Sequence, residues 1–294
     1  MAELRELREE DADAVAALFV AAFGESRRMD GNEIRAWLRN EALQPENLRV
    51  LVDAGVVVGY GDIWIAAGTM DFDAAAPGRW DEIFDWAEER ARAEEVQRIR
   101  SFLADGHELE DFVTARGYRP VRASYTMEIE LDDEAPAAPA AIEGIEIRAY
   151  RHPDDERRTY EAQEEAFGDH WDHNPQTIET WREFSVKQSN FEAPLWFLAL
   201  DGDELAGFSL NYPERSGEPG YGWVGTLGVR RPWRRRGIGE ALLRRSFRVL
   251  HERGYRRVRL SVDAESLTGA TRLYKRAGMR VIRQANTWEL SLLP

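Results

Sequence analysis

The 294-residue sequence contains no cysteine, which excludes a disulfide framework, a thiolate metal site and a cysteine nucleophile. It also lacks any apolar run approaching the length of a membrane span. Its start, Met1-Ala-Glu-Leu-Arg-Glu6, lacks the basic and apolar regions of a signal peptide. A cytoplasmic chain with no membrane partner is expected. Positive charge is in deficit: 39 basic residues against 54 acidic ones give −15, which argues against nucleic acid or an anionic membrane surface as the main partner. Cationic or amine-bearing partners fit this balance better. No Gly-x-Ser-x-Gly elbow, His-Glu-x-x-His pair or Walker loop occurs, so serine-hydrolase, zinc-protease and nucleotide-triphosphatase readings have no support.

The length exceeds that of a usual single domain, and the chain repeats itself. Ala22-Phe23-Gly24-Glu25 closes one helical pattern and Ala166-Phe167-Gly168-Asp169 another. Val50-Leu-Val-Asp-Ala-Gly-Val-Val-Val-Gly59-Tyr60 matches Leu198-Ala-Leu-Asp-Gly-Asp-Glu-Leu-Ala-Gly207-Phe208, each a hairpin turning at its Asp/Gly cluster. Both halves end alike, on Arg116-Gly117 and Ala277-Gly278 followed by a strand pattern. Between them Asp132-Asp-Glu-Ala-Pro-Ala-Ala-Pro-Ala-Ala141 has no periodicity and reads as a linker. The expected division is therefore a domain over 1–131, a linker over 132–143 and a second domain over 144–294, two copies of one α/β unit rather than a solenoid.

The offset between the copies grows from 144 at the first match to 148 at the hairpin and 161 near the end, so the second copy carries extra residues before its final helix. In that interval lies Arg234-Arg235-Arg236-Gly237-Ile238-Gly239, after a β-type run from Trp223 to Val229 and before a helical one from Glu240 to Leu250. Strand, glycine turn and helix start form an anion-binding device, because the helix's first N–H groups and its dipole face the turn. The matching stretch of the first half, Met70 to Trp80, is acidic and without a glycine pair, so it is not expected to hold phosphates. Periodicity in the second half predicts strands at 145–150, 195–200, 205–212, 223–229 and 258–262, helices at 156–167, 178–188, from 238 and near 268–276, and final strands to 292. The fold class is α+β with a mixed sheet.

With these motifs in this order, the chain resembles the GNAT superfamily of acyl-CoA-dependent N-acyltransferases, in tandem form. The resemblance rests on Val229 followed by Arg234 to Gly239, and on the later run Ser261-Val-Asp-Ala-Glu-Ser-Leu-Thr-Gly-Ala-Thr-Arg-Leu-Tyr274-Lys-Arg-Ala-Gly278-Met279. It covers 144–294 closely and 1–131 in outline. It implies two tandem GNAT-like domains, each a mixed, mostly antiparallel sheet flanked by helices. It also implies acetyl-CoA as co-substrate, no metal, and direct attack by the amine of a small molecule or peptide. By the same resemblance, Arg234, Arg235, Arg236, Gly237, Ile238 and Gly239 hold the coenzyme A pyrophosphate. Leu227 and Val229 pair with the pantetheine arm, Ser266, where the family's later motif carries an asparagine, is a further cofactor-binding residue, and Tyr274 protonates the departing thiolate. Many members carry a glutamate base six residues before the strand's last valine, and here that residue is Trp223. The layout is similar to that of the mycothiol synthases, a type that carries the glutamate.

An amine that is protonated near neutral pH needs a base. The richest cluster is Glu165, Asp169, His170, Asp172 and His173, with Asp169 and His170 as the expected catalytic pair. Three readings of these residues stay open: acceptor binding or base, a metal site built on His170-x-x-His173, or plain surface. Tyr274 is either the acid or a core tyrosine. Trp171, Trp181, Trp196 and Trp223 line an acceptor pocket or pack the core. Arg230, Arg231, Arg244, Arg245 and Arg248 grip the nucleotide or form a solvated face. The leading expectation is an acetyl-CoA-dependent N-acetyltransferase whose first domain shapes the acceptor cleft. The alternative is a non-catalytic acyl-CoA-binding sensor or interaction module.

Overall fold

In a computed structural model the chain is described at residues 2–171, 173–213, 220–266 and 269–293. In chain order the elements are β1 (Glu3–Glu6), α1 (Ala12–Phe23), α2 (Gly31–Leu38), β2 (Leu48–Asp53), β3 (Val56–Ala66), β4 (Thr69–Ala75), α3 (Trp80–Ala93), β5 (Arg98–Ala104), α4 (Leu109–Ala115) and β6 (Arg119–Glu130). There follow β7 (Ile145–Ala149), α5 (Glu156–Phe167), α6 (Ile178–Glu183), β8 (Phe197–Asp201), β9 (Glu204–Tyr212), β10 (Gly222–Val229), α7 (Ile238–Glu252), β11 (Arg257–Asp263), α8 (Ala270–Arg276) and β12 (Arg280–Ser291). No helix among the described residues is long and apolar enough to cross a membrane.

The chain forms two compact units. Among the described residues, the first comprises 2–123 with 284–293, and the second those of 124–213 and 220–283. The sequence had suggested a division at 131 and 144. The difference arises from the last strand of each half, because a strand counts with the sheet whose edge it hydrogen-bonds. Residues 124–130 of β6 pair with β11, and residues 285–291 of β12 pair with β5. The expected linker runs over α7: the Asp132 carbonyl lies 3.0 Å from His251 Nε2, and Arg248 donates to the Pro136 carbonyl.

In the first unit the strand order is β1-β2-β3-β4-β5-β12, antiparallel except for β4 with β5. Strict alternation in β4 sets its two faces. Met70, Phe72 and Ala74 are buried with Ile83, Phe84, Ala87 and Ala91 of α3, while Asp71 and Asp73 point the other way. On that second face α1 and α2 pack Val15, Phe19 and Ile34 against Val50, Tyr60 and Ala75. Asp30 caps α2 by accepting from the Asn32 and Glu33 N–H groups.

The second unit repeats the plan in the order β6-β11-β10-β9-β8-β7, with β10 and β11 the parallel pair. Helix α7 buries Ile238 and Leu242 against Phe197, Ala199, Ala206, Leu227 and Val229. Its outer face is laced by Glu240–Arg244 and Arg248–Glu252 pairs at helical spacing. Helices α5 and α6 cover the opposite face, where Trp181 and Trp196 lie fully inside the core, their rings 6.1 Å apart. The helix predicted at 156–167 forms over Glu156–Phe167, and the one expected to reach 188 ends at Glu183. A single strand, β12, stands where final strands to 292 are expected from the sequence.

Each unit opens with the same ion pair. Arg5 makes two hydrogen bonds to Asp11, 2.7 and 2.8 Å, and Asp11 also accepts from the Arg8 N–H. Arg148 makes two to Asp155, 2.6 and 2.8 Å, with the Arg151 N–H completing the set. In both cases the first strand is thereby tied to the start of the first helix.

Candidate functional site

Strands β10 and β11 are in register only at Gly222–Val258 and Trp223–Arg259. Beyond Trp223 they part, so residues 224–229, apart from the bulged Gly225, keep β9 as a partner and have none on β11. A bulge between Val224 and Thr226 marks the start of the split. Unpaired strand backbone is an open row of donors and acceptors, and it leads from Trp223 directly to the Arg234–Gly239 turn.

That turn is built to leave N–H groups free. Arg235 and Gly237 both adopt the left-handed conformation, at φ +64° and +83°, with Gly237 in the N-cap position of α7. Only glycine takes that conformation without strain. The Ala241 N–H bonds the Gly237 carbonyl at 3.0 Å and closes the first helical turn, while the N–H groups of Arg235, Arg236, Gly237, Ile238 and Gly239 have no acceptor among the described residues. Together with the dipole of a 15-residue helix, they form a cradle for an anion.

The arginines hold this cradle rather than fill it. Arg234 points inward, donating to the carbonyls of Val229 (3.1 Å) and Ala166 (3.0 Å). Arg230 bonds Glu165 at 2.5 Å and stacks on Trp233. Arg236 and the Trp233 indole share Asp201. Arg244 and Arg248 pair with acidic residues of α7, and Arg245 lies over the Phe197 ring. Arg235 has no ion-pair partner among the described residues and is exposed.

Asp169, expected beside His170 as a catalytic group, is turned the other way. It accepts from Arg231 at 2.9 Å and lies 3.7 Å from Arg234. The Arg231 hydrogen bond is the main reason its carboxyl titrates below the usual range, and a more acidic carboxyl is a poorer base. His170 instead lies 3.9 Å from Asp263 at the end of β11, and His173 lies 3.4 Å from Glu164. The two histidines therefore face different carboxylates, and among the described residues no group of three or more metal-type ligands forms. Asp172 lies outside the described residues.

Tyr274 sits on α8, 7% exposed, and burial pushes its hydroxyl up to about 12. Ser266 lies in the turn between β11 and α8, where its N–H bonds the Asp263 carbonyl and its own carbonyl accepts from Gly269. Trp223 is 8% exposed. It shares its row and sheet face with Tyr212 on β9, Arg259 on β11 and Glu128 on β6. Arg259 bonds Glu128 at 2.7 Å, both nearly buried, and lies 4.3 Å from the Tyr221 ring centre. By register Asp263, Ser261 and Thr126 continue the same face, so a polar strip runs beside the split.

Sequence reasoning missed Asp263, although it lies inside the later motif, and the inward role of Arg234. It also missed the Arg–Asp pairs that open the two units, whose repeat at an offset close to that of the first match was a usable signal.

Comparison with known proteins gives a consistent result. The profile of the acetyltransferase (GNAT) family matches residues 156–279. The mycothiol acetyltransferase of Catenulispora acidiphila is 31% identical over 166 residues, 55% of this chain and 52% of that protein. The match thus spans about half the length of that curated relative. The mycothiol acetyltransferase of Beutenbergia cavernae is 29% identical over 282 residues, 90% of this chain and 92% of that protein. Among solved structures, a GCN5-related N-acetyltransferase from Sphaerobacter thermophilus aligns with TM-score 0.78 and 33% identity, over 100% of this chain and 96% of that one.

Proposed function

Since the chain belongs to the GNAT family of acetyltransferases, we propose that its second unit transfers an acetyl group from acetyl-CoA to a primary amine, both substrates being bound together. The observation that carries this reading is the β10–β11 split running onto a helix start whose N–H groups are free. The fit to the co-substrate is chemical. Five unpaired N–H groups at and before a helix N-terminus suit a pyrophosphate, and the strand backbone at 224–229 without a β11 partner, with Leu227 inside it and Val229 at its end, its carbonyl held by Arg234, suits the amides of a pantetheine arm. Acetyl-CoA would supply the acetyl group already activated as a thioester.

The residues around the split then divide the work. Arg234, Arg230 and Arg231 hold the loop against α5, with Asp169 and Glu165 as their counterions. His170, beside Asp263, accepts the proton that an ammonium must lose before its nitrogen can attack. Tyr274 keeps its proton at neutral pH and donates it to the departing sulfur as the carbon–sulfur bond breaks and the carbon–nitrogen bond forms. Trp223, in place of a glutamate, gives the acceptor an aromatic wall.

The acceptor is read only as an amine. Mycothiol acetyltransferase is the name of curated relatives, and the polar strip from Glu128 to Asp263 suits a hydroxylated amine of that general kind. A panel of amino-sugar conjugates, aminoglycosides, polyamines and peptides, followed by free-thiol release from acetyl-CoA, tests the reading. One or more amines should raise thiol release over the hydrolytic background, and Tyr274→Phe and His170→Ala should each lower that turnover while acetyl-CoA still binds. No stimulation by any amine, together with tight acetyl-CoA binding, would instead favour a non-catalytic sensor, the reading that Trp223 motivates.

A further inference from the structure

The acidic stretch around Met70 to Asp73 is not used by the proposed transferase, and its surroundings in the first unit have a chemistry of their own. Asp62 of β3 and Asp73 of β4 are directly opposite each other in register, on the face away from α3. Facing carboxylates on neighbouring strands repel and cost stability. Arg27 bonds Asp73, at 3.0 Å for one of its two contacts, acts on Asp62 by its charge alone, and stacks over the rings of Phe19 (5.0 Å) and Phe23 (4.6 Å). Two residues before Asp62, on the same face, stands Tyr60, which is fully buried and whose hydroxyl, directed at Asp62, makes no hydrogen bond of full geometry among the described residues. A buried hydroxyl so poorly satisfied marks a place where a further polar group is expected. The charges of both aspartates bear on that hydroxyl, which places it against the acidic pair.

From this juxtaposition we infer that Tyr60, Asp62 and Asp73 form a binding site in the first unit for a protonated primary amine. Cross-strand partners stand about 4.5–5.5 Å apart at Cβ, a spacing that one ammonium group can bridge with its three donors, two to the carboxylates and one to the tyrosine oxygen. Arg27 and the phenylalanines beneath it form one wall, and Trp64, two residues beyond Asp62 on the same face, is placed to cover an alkyl stem. Burial, and then the charge of Asp73, hold the Asp62 carboxyl far above its ordinary value, while Tyr60 and Arg27 act in the opposite direction. An arriving ammonium therefore releases a proton from Asp62.

The test is calorimetric titration of the full chain with 1,4-diaminobutane near pH 7, in two buffers of different ionisation enthalpy, with 1,4-butanediol as control. One diamine should bind per site with proton release, and the diol should not bind. Asp62→Asn should weaken diamine binding at least about tenfold while leaving acetyl-CoA affinity unchanged, and Tyr60→Phe should weaken it measurably. Tyr274→Phe, which touches only the second unit, should leave it intact. Absence of diamine binding at millimolar concentration overturns the inference, as does unchanged affinity in Asp62→Asn. Equal displacement by magnesium chloride would overturn it too, because the site would then be one for hard cations. None of these outcomes bears on the transferase reading, which fails only through the second unit.

Discussion

Replacing Gly239 by alanine separates a glycine kept for packing from one kept for a ligand. A Cβ at this position would meet Leu273 Cδ2 at 3.4 Å and Val229 Cγ2 at 3.6 Å, ordinary contact distances, and its backbone is not left-handed. Inside the first turn of α7, alanine should therefore leave stability unchanged or raise it by up to about 1 kcal/mol. A phosphate resting on the free N–H groups would be moved off by the added methyl. The loss of one charge-assisted hydrogen bond, about 1.5–3 kcal/mol, corresponds to a ten- to hundred-fold weaker acetyl-CoA affinity at about 1.4 kcal/mol per tenfold. Gly237→Ala provides the contrast. A Cβ there meets nothing nearer than Ile142 at 3.9 Å, but φ is +83°, so alanine costs about 1–2 kcal/mol of backbone strain. Calorimetric titration with acetyl-CoA and thermal melts of both variants measure the two effects. A Gly239→Ala protein that melts like the wild type and binds acetyl-CoA within about twofold would refute the placement of the pyrophosphate on this helix start.

Three further outcomes follow. Tyr274→Phe should lower kcat by about 10²–10⁴ with little change in acetyl-CoA affinity. Because burial raises the wild-type hydroxyl to about 12, rate profiles from pH 6 to pH 10 should show no falling limb attributable to its deprotonation. Asp155→Asn should cost roughly 2 kcal/mol at neutral pH by unpairing Arg148. Burial opposes ionisation of Asp155, yet Arg148 and the Arg151 N–H outweigh it and hold the carboxyl below 3.8. Its contribution is thus complete above 3.8 and disappears as pH falls through the lower folded value, so urea melts of variant and wild type should converge in strong acid. Finally, equilibrium dialysis should find one acetyl-CoA per chain, and two equivalent sites would contradict the assignment to the second unit alone.

The parts of this molecule that were legible in the sequence are those written locally. Helix α5 falls where its periodicity placed it, and the turn before α7 carries one of its glycines, Gly237, at the left-handed N-cap position. Residues whose role depends on direction were less legible. Asp169 and His170 are neighbours in sequence, but a loop turns one toward Arg231 and the other toward Asp263, and no period governs loop side chains. The ends of the halves were missed for a related reason. The alternation of β6 and β12 specifies which residues face a core, but not which strand supplies the hydrogen bonds. The split of β10 from β11 is likewise a property of register, invisible in either strand alone.

Comparing the two units then shows which feature separates them. The first unit keeps the split: β4 pairs with β5 only over Thr69, Met70 and Asp71, and residues 72–75 have no β5 partner. The parting of the two parallel strands therefore belongs to the fold and cannot by itself mark a coenzyme site. What differs is the connection that follows. Residues 76–79 lead from β4 to α3, and Arg79, at the N-cap, is engaged by Glu82 and Asp53. Residues 230–237 lead from β10 to α7, twice as long a path, and it is this length that allows two left-handed residues and a row of free N–H groups. The first unit also sets Asp62 and Asp73 in register beside its split, and there Arg27 is already taken by Asp73, so this pair offers a phosphorylated ligand no attraction. The two units thus share one architecture and differ in what lines the split, a turn with free N–H groups in one and a carboxylate pair in the other, and the length and composition of a single strand-to-helix connection account for much of the difference.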